Sequence, residues 1–434
     1  MNNLAVGSEW RRSWHLVALT VLGLTCAPTT LPVYTLGVFV APYAAEFGWG
    51  RGEIQSAILF STGLAVFFAP LAGTMVNRFG LRRTIVSGLV GMALSCLAAA
   101  ANTGALWQLY AAYALMSALG AGAGAVGWVT LVSGRFEQAR GLALGIALSG
   151  TGLCAALMPM IASFGLDRFG WRGAYVLLAA FVAFVVLPIC AAMLPDEAIS
   201  LTGSEQKSAD HSGMKVGAAI RHWRFWILGA STAAIYLVIG GLIPNLVPAL
   251  MDTGASAAAA ASIMGLFGIA VVAGRICVGA LVDRFWAPVV AALVLVPAAI
   301  GCLGLQSEGS LSMLTGAVVF IGMATGMELD VLGFLTARYF GLTDFARVYG
   351  RLYVFVAAAA GVAPMLFGFA YDWTGSYALP LQVAAGLLVA GATGLLALGK
   401  YPVWLTAANR TCNGKSDDLS DLPLPPARAR RIIR

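Results

Sequence analysis

The sequence predicts an all-α membrane protein whose twelve transmembrane helices form two pseudo-symmetric six-helix halves. The first observation is composition: 60% of the 434 residues are hydrophobic and only 10% are charged, whereas a soluble globular chain carries about 25% charged residues. The second is the length of the apolar runs, since crossing a bilayer takes about 20 apolar residues. The third is an internal repeat. Because backbone groups in lipid must be hydrogen-bonded internally, each run is expected to be a helix.

Six apolar runs precede a polar stretch of the sequence, and six follow it. This pattern predicts an N-terminal half at 1–194, a linker at 195–222, a C-terminal half at 223–400 and a tail at 401–434. The predicted spans lie at 14–45, 53–76, 84–103, 105–133, 140–163, 172–194, 223–251, 256–281, 287–306, 311–337, 347–371 and 377–400.

The distribution of basic residues predicts the orientation of the chain. Nearly all of the 26 lysines and arginines fall in the termini and in every second loop, as is typical of cytoplasmic segments. The exceptions are Arg51, Arg168 and Arg172 in the other loops and Arg275 within a span. Both termini are therefore expected in the cytoplasm of a multi-pass protein of a bacterial inner membrane. This bias accounts for the net charge of +7 without a nucleic-acid partner.

The cysteines give no sign of a cofactor. None of the seven forms a C-x-x-C pair, so neither a disulfide framework nor a metal site is predicted. No nucleophile constellation points to an enzyme either. Arg11 and Arg12 precede a long apolar run without a small-residue cleavage site, which predicts an uncleaved first span.

Two short segments of the N-terminal half recur in the C-terminal half at nearly the same offset. Gly73–Phe79, after the second span, matches Gly279–Phe285, after the eighth. Phe164–Gly170, after the fifth span, matches Phe369–Gly375, after the eleventh. Such repeats are typical of membrane folds built from a duplicated helical unit.

With these features the chain resembles the major facilitator superfamily over its whole length. Gly73–Arg83 resembles the family's loop motif between helices 2 and 3, and Gly279–Arg284 resembles its weaker second copy. The first copy has asparagine where the family usually has aspartate, and the second lacks the trailing Gly-x-Arg-Arg. In the family this loop holds the cytoplasmic ends of the halves together in one access state. The resemblance implies gating roles for Gly73, Asn77, Arg78, Arg82, Arg83, Asp283 and Arg284.

A closer resemblance is to the monocarboxylate-transporter and oxalate:formate-antiporter branch. It rests on Gly37–Trp49 closing helix 1, Arg135–Gly145 opening helix 5, Arg275 in helix 8 and Arg338–Gly341 after helix 10. Helix 4 carries no charge, unlike helix 4 of many sugar and drug carriers, which favours the carboxylate branch. In both relatives the helix 8 arginine is associated with substrate. The resemblance implies a secondary active transporter that works by alternating access.

Three ionisable residues are predicted at one depth in the middle of the membrane. Arg275 lies eight residues before Asp283, and therefore about 12 Å from the membrane boundary at 1.5 Å per residue. Glu328 and Asp330 precede Arg338 by ten and eight residues, which gives depths of about 15 and 12 Å. A charge at the bilayer centre costs at least about 2.5 kcal/mol, so it marks a functional site by default.

We expect Arg275 to bind a substrate carboxylate, because a guanidinium in a dry site holds a carboxylate through two parallel hydrogen bonds. A single buried cation suits a solute with one carboxylate. Glu328 and Asp330 point about 200° apart around their helix, so one of them, with Glu328 favoured, is expected to share the cavity and couple a proton. A permanent ion pair that holds helices 8 and 10 together is the alternative interpretation.

Aromatic and proline residues on the first helices of the two halves complete the predicted site. Tyr34 and Tyr236 are candidates to hydrogen-bond the anion, with core or interface tyrosines as the other interpretation. Pro244 and Pro248 interrupt the backbone hydrogen bonds of helix 7. Such breaks line cavities in transporters, although a simple kink is an equal alternative.

The expected function is proton symport of a small organic acid by a monomeric carrier in the lipid bilayer. An organic-anion exchanger without proton coupling and an efflux permease are the alternatives, and a membrane sensor on a transporter scaffold is a more distant one. No cofactor, metal or nucleic acid is implied. The sequence leaves open whether the solute is a lactate-like acid, an aromatic acid, or a ring-cleavage acid or its lactone.

Overall fold

The chain is helical throughout the part that the structure covers. Apart from one isolated bridge between Gly213 and Gly341, these residues form helices, turns and no strand. An all-α chain is therefore confirmed for them. The computed structural model describes residues 2–136, 140–195, 213–282, 284–306, 311–341 and 344–402.

The described part of the N-terminal half consists of α-helices joined by short irregular segments. Several of these helices continue one another and form longer rods. The helices are α1 (Asn2–Leu24), α2 (Leu31–Phe47), α3 (Arg51–Gln55), α4 (Leu64–Phe79), α5 (Leu81–Ala100), α6 (Leu106–Leu119), α7 (Ala125–Ser133), α8 (Arg140–Leu148), α9 (Gly150–Phe181) and α10 (Leu187–Met193).

Three of the rods depart from α-helical geometry near their middle. Residues 25–30 form turns between α1 and α2, where Pro28 has no N–H to donate. A π-turn at Leu59–Gly63 precedes α4, and a 3-10 turn at Gly120–Ala123 joins α6 to α7. Non-helical backbone at membrane depth is tolerated where it is buried in protein or lines a cavity.

The long helix α9 contains a reversal of chain direction at Gly170. Its φ of 68° lies in the left-handed region, which glycine adopts without strain. A Cβ added to Gly165 would lie 2.8 Å from the Cα of Ala174, whereas nine residues of straight helix rise about 13 Å. The fifth predicted span therefore ends before Gly170, and the sixth begins after it.

The described C-terminal half has longer helices. Among the described residues, π-turns occur only in the N-terminal half, at Leu59–Gly63 and at Val182–Val186. The helices are α11 (Val216–Arg221), α12 (Trp223–Asp252), α13 (Ala257–Val282), α14 (Ala287–Gly304), α15 (Leu311–Phe340), α16 (Phe345–Thr374) and α17 (Ala378–Ala397).

Length and hydropathy identify eight membrane-spanning segments. The count is nine if two parts of α15, Ser312–Glu328 and Asp330–Phe340, which meet at a bend of 42°, are taken together as one span. One of the eight, Leu142–Met193, contains the reversal at Gly170 and so corresponds to two predicted spans. The helices within residues 2–47 and 51–79 are not among these segments, because none of them meets both the length and the hydropathy criterion. A count of twelve remains a prediction, while a multi-pass membrane protein is confirmed.

Large apolar side chains cover the outside of the helix bundle. Phe184 is 80% exposed, Leu293 69% and Ile269 63%. Lipid removes such surface from water, which accounts for so much exposed apolar area.

Two of the helix pairs along which the halves meet are related to each other by the sequence repeat. Helix α3, in the second predicted span, packs on α16, the eleventh span. Helix α9, in the fifth, packs on α13, the eighth. A shift of six spans converts the first pair into the second, as a duplicated unit requires. The division into two halves itself stays a prediction.

The two ends of the bundle differ in their residues. The basic end carries the turn at residues 79–83, Arg221 and Arg338. The opposite end carries Gly48–Gly50 and Gly375. The last part of the predicted linker joins the C-terminal half at the basic end, where the Met214 N–H donates to the Phe340 carbonyl at 2.8 Å. Residues 196–212 of that linker and 403–434 of the predicted tail lie outside the described residues.

Candidate functional site

A cavity of about 390 Å³ lies between the two halves. This volume falls in the range of about 300–1,000 Å³ that is typical of small-molecule sites. The three irregular segments of the N-terminal half contribute to its wall, together with helices α12, α13, α15 and α16 of the C-terminal half. Most of the lining residues are apolar, so the few polar ones determine which solute fits.

Arg275 reaches this cavity from α13 because glycines let α13 and α15 approach closely. A Cβ on Gly274 would lie 2.3 Å from the Met323 carbonyl oxygen, and one on Gly326 would lie 2.1 Å from the Val271 carbonyl oxygen. Backbone at this spacing leaves no room for larger residues at either position. The guanidinium is thereby held against α15, with only 8% of the residue exposed.

The Arg275 guanidinium contacts the protein through one nitrogen. Its Nε donates to the Gly326 carbonyl at 3.3 Å and lies 3.4 Å from Asp330 Oδ2. Among the described residues, neither terminal nitrogen of the guanidinium makes a hydrogen bond. A lining arginine with two unengaged N–H₂ groups has the geometry that a carboxylate requires.

Glu328 and Asp330 occupy different surroundings, as their two-residue separation predicts. Asp330 forms the ion pair with Arg275 and is not part of the cavity wall. Glu328 lines the cavity, where its buried carboxylate lies next to the Tyr236 hydroxyl. The structure thus brings both acids to the arginine's neighbourhood but gives only Glu328 access to a bound solute.

Both predicted tyrosines line the cavity. Tyr236 is 6% exposed, and its buried hydroxyl lies next to the Glu328 carboxylate. Tyr34 is 7% exposed and packs its ring 6.5 Å from that of Phe267 on α13. Tyr353 on α16 is a third lining tyrosine that the sequence did not single out.

A set of contacts joins the halves at the end of the bundle opposite to the basic end. The sequence did not predict these contacts. We call Arg51, Asp252, Tyr371, Asp372 and Tyr377 the outer clamp. The Arg51 guanidinium donates to both oxygens of Asp252 at 3.0 Å and to the Tyr377 hydroxyl at 3.2 Å, and stacks 3.7 Å from the Tyr371 ring centroid. The Asp372 carboxylate accepts the N–H groups of Arg51 and Gly52 at 2.8 and 2.7 Å, at the N-terminus of α3.

A second contact between the halves follows from the two prolines of α12. Pro248 has no N–H, so the Pro244 carbonyl loses its partner within the helix. Gln55 Nε2, from the N-terminal half, donates to that carbonyl at 3.1 Å. Next to it, the Tyr377 hydroxyl donates to Asn245 Oδ1 at 3.0 Å. The helix break predicted from the sequence therefore supplies a carbonyl that helps to hold the halves together at the end opposite to the basic end.

Among the gating residues predicted at the basic end, Arg82 is the one with a defined bond. Its Nη2 donates to the Ala191 carbonyl at 2.6 Å, within the N-terminal half. The Arg78 guanidinium lies 5.3 Å from the Phe79 ring centroid, and Arg83 and Arg284 are exposed. A Cβ on Gly73 would meet only Val126, at 3.9 Å. The side chain of Asn77 and all of Asp283 lie outside the described residues.

Every hydrogen bond between described residues of the two halves lies at the opposite end. The predicted bonding of the two halves at the basic end is not seen among these residues. This conformation is therefore closed at the opposite end.

Comparisons with known proteins agree with the resemblance. The Major Facilitator Superfamily profile matches residues 18–285. Monocarboxylate transporter 13 of Bos taurus is 29% identical over 382 residues, covering 85% of each chain. Monocarboxylate transporter 11 of Mus musculus is 26% identical over 371 residues, covering 82% of this chain and 81% of its own. Monocarboxylate transporter 12-B of Danio rerio is 23% identical over 451 residues, covering 94% and 90%.

Proposed function

Because the chain belongs to the major facilitator superfamily, a family of membrane transporters and not of enzymes, we propose that it carries a small organic monoanion together with a proton. The names of its relatives support a monocarboxylate as the solute class. The observation that carries the proposal is Arg275, a buried guanidinium on the cavity wall whose terminal nitrogens have no described partner. These two groups bind the solute's carboxylate through parallel hydrogen bonds.

Proton coupling follows from competition for the guanidinium. Asp330 holds Arg275 through Nε before the solute enters. A solute carboxylate draws the guanidinium away from Asp330, and a carboxylate left alone in a low-dielectric site is stabilised by taking up a proton. Glu328 is the alternative acceptor of this proton, because its buried carboxylate lines the same cavity. Loading one anion together with one proton leaves the net charge of the site unchanged, so no added charge has to cross the membrane.

We assign this conformation to the access state whose cavity opens at the basic end. The outer clamp and the Gln55 contact support that assignment, since they tie the halves together at the opposite end. Return to the other state requires breaking these bonds and bringing the halves together at the basic end.

The test of solute binding uses purified protein in proteoliposomes and radiolabelled lactate and benzoate as probes. We expect Arg275→Lys to reduce saturable uptake of either probe at least about tenfold, because an ammonium cannot form the two parallel bonds. Arg351→Lys is the matched control, since Arg351 is exposed and, among the described residues, bonds only to the Arg347 carbonyl within α16. Undiminished uptake in Arg275→Lys would contradict the proposed role.

Coupling is tested separately from binding. Glu328→Gln and Asp330→Asn remove the ionisable group while keeping the size of the side chain. If either acid carries the proton, its variant keeps solute counterflow but loses uptake driven by a pH gradient. Gradient-driven uptake that persists in both variants would remove proton symport.

An anion exchanger without proton coupling is the second candidate. It is favoured by the Arg275–Asp330 contact, because a solute that binds only the terminal nitrogens leaves that contact at Nε in place. No acid is then released and no proton is taken up. Counterflow that is independent of pH in the unmodified protein distinguishes this candidate from the symporter.

A further inference from the structure

Hydroxyl side chains within helices usually donate to a carbonyl one turn earlier, which satisfies them locally. Most serines and threonines in the described helices follow this rule. Typical donor–acceptor distances are 2.7–2.8 Å, as for Thr20, Thr35, Ser95, Thr232 and Thr336. A hydroxyl that departs from the rule in the membrane therefore needs another partner.

Four hydroxyl residues on one wall of the cavity do not make this local hydrogen bond to a carbonyl one turn earlier. All four belong to the N-terminal half and line the cavity. Ser117 is 1% exposed, and both its Oγ and Thr62 Oγ1 are buried without a hydrogen-bond partner. Thr30 precedes α2 without a side-chain bond to the helix, and Thr29 makes no side-chain bond to the described residues.

The backbone explains why three of these hydroxyls are left free. Thr29 and Thr30 lie in the turns between α1 and α2, and Thr62 lies in the π-turn at Leu59–Gly63. Ser61 already donates to the Ile58 carbonyl, the acceptor that Thr62 would use in a regular helix. Ser117 lies in the last turn of α6, three residues before the 3-10 turn begins at Gly120. Two irregular segments and the last turn of α6 thus present unengaged hydroxyls to one cavity.

The charge distribution around the cavity determines what these hydroxyls can bind. The described lining residues of the N-terminal half include no carboxylate and no cation, while Arg275 and Glu328 both belong to the C-terminal half. A neutral wall of hydroxyls suits a neutral oxygen group, which both accepts from and donates to them. A metal cation would lack a negative ligand on this wall.

We propose that Thr62 and Ser117 form a second subsite, which binds a hydroxyl or carbonyl group of the solute at a distance from its carboxylate. The solute class is then an oxygen-substituted monocarboxylate that spans the cavity, with its carboxylate on Arg275 and its second oxygen on the N-terminal half. This inference rests on the proposed function, because it takes Arg275 as the carboxylate site. It adds a specificity determinant on the other half of the protein.

The test compares matched pairs of acids that differ by one remote hydroxyl: benzoate with 4-hydroxybenzoate, and hexanoate with 6-hydroxyhexanoate. Dissociation constants for the purified full-length chain are obtained from ligand-induced thermal stabilisation. One hydrogen bond to a buried, otherwise unpaired hydroxyl gives the hydroxylated acid of at least one pair an advantage of about three- to tenfold. That preference is expected to fall close to one in Thr62→Val and in Ser117→Ala.

Two further variants separate hydrogen bonding from misfolding. Thr62→Ser restores a hydroxyl and should restore the preference. Thr151→Val is the matched control: Thr151 lines the same cavity on the same half, but its hydroxyl already donates to the Leu148 carbonyl at 3.0 Å. It should leave the preference unchanged.

The outcomes distinguish the subsite from the proposed function. Equal binding of both members of each pair, or a preference that survives in both Thr62→Val and Ser117→Ala, overturns the subsite while carboxylate binding stands. Failure of all four acids to stabilise the unmodified protein overturns the proposed function and the subsite with it. If the preference for the hydroxylated acid disappears when choline replaces sodium in the buffer, the hydroxyls bind a cation. That result overturns the subsite.

Discussion

Two of the interfaces between the halves, α3/α16 and α9/α13, share their packing but not their polar bonds. In the α3/α16 interface, a Cβ on Gly368 would lie 2.6 Å from the Cα of Gly52. In the α9/α13 interface, a Cβ on Gly268 would lie 2.4 Å from the Gly152 carbonyl oxygen. Both helix pairs therefore meet through glycines that allow the backbones to touch. Among the described residues, only the α3/α16 interface is flanked by the charged outer clamp, which joins Arg51 to Asp252 at the end of α12 and the start of α3 to Asp372 on α16.

This difference separates a contact that can open from one that stays packed. Hydrogen bonds and ion pairs at an exposed end exchange with water at little cost, so they hold a state without making it permanent. Glycine packing is common to both interfaces and does not distinguish them, whereas the α9/α13 interface has no polar bond between described residues that water could replace. We interpret α3/α16 as the interface that opens in the other access state, and α9/α13 as the pivot.

The largest effect is expected at the pivot. Gly268→Ala places a Cβ against the Gly152 carbonyl oxygen and, at 2.5 Å, against the Ala156 nitrogen, both of them rigid backbone. Overpacking of this kind costs about 1–3 kcal/mol, so both the apparent melting temperature and the rate of uptake should fall.

Gly265→Ala is the control for that substitution. Gly265 lies on the same helix, and its added Cβ would meet only ordinary contacts at 3.8 and 3.9 Å. In a helix this change is neutral or slightly stabilising. Equal losses in the two variants would show that α13 tolerates no alanine at all, and would remove the evidence for a tightly packed pivot.

The next effect is expected at the outer clamp. Arg51→Ala removes the two-bond contact to Asp252 and the stacking on Tyr371. Together these are worth about 1–2 kcal/mol in a half-exposed site, which shifts the balance between closed and open states about five- to thirtyfold. Spin labels at Thr103 and Ser376, in a background without Cys277 and Cys412, should report a longer distance between the halves.

Arg172→Ala provides the matched control for Arg51→Ala. Arg172 bonds to Glu46 at 3.0 Å at the same end of the bundle, but both residues belong to the N-terminal half. Its loss should leave the distance between the labels unchanged. A similar lengthening in Arg172→Ala would mean that loss of any arginine at this end opens it.

The sequence predicted the chemistry of the cavity better than the closure of the protein. Arg275, Glu328 and Asp330 were found because a charge in an apolar span stands out, and their depth follows from helical rise alone. Which acid pairs with the arginine depended on helix rotation, which Gly274 and Gly326 set through backbone contact. No pattern in one sequence fixes that rotation.

The outer clamp illustrates why other features could not be predicted. Arg51 was visible only as one of three arginines in loops expected outside, and Asp372 only as part of a repeat. Their contact joins residues more than three hundred positions apart and depends on how the halves meet. Pro248 did predict a freed carbonyl on α12, but not that Gln55 occupies it. Unengaged hydroxyls such as Ser117 had no sequence signal at all.

A smaller effect is expected for Asp372→Asn. The amide oxygen still accepts a hydrogen bond from the first turn of α3, but the negative charge at the helix N-terminus is lost. At an exposed helix end that charge is worth about 0.3–1 kcal/mol. The same pair of labels should report a shift of up to about fivefold toward the open state, weaker at high salt. A shift as large as that of Arg51→Ala would make Asp372, not Arg51, the main closing contact.

The smallest effect is expected at Asp167, the counterpart of Asp372 in the sequence repeat. Asp167 is exposed and makes no bond to a described residue, so duplication supplied two aspartates and only one closes an interface. Asp167→Asn should therefore leave both the distance between the labels and the uptake rate within about twofold of the unmodified protein, as for surface changes that break no contact. If it opens the protein as Asp372→Asn does, both interfaces close by the same contact, and α9/α13 is not a pivot.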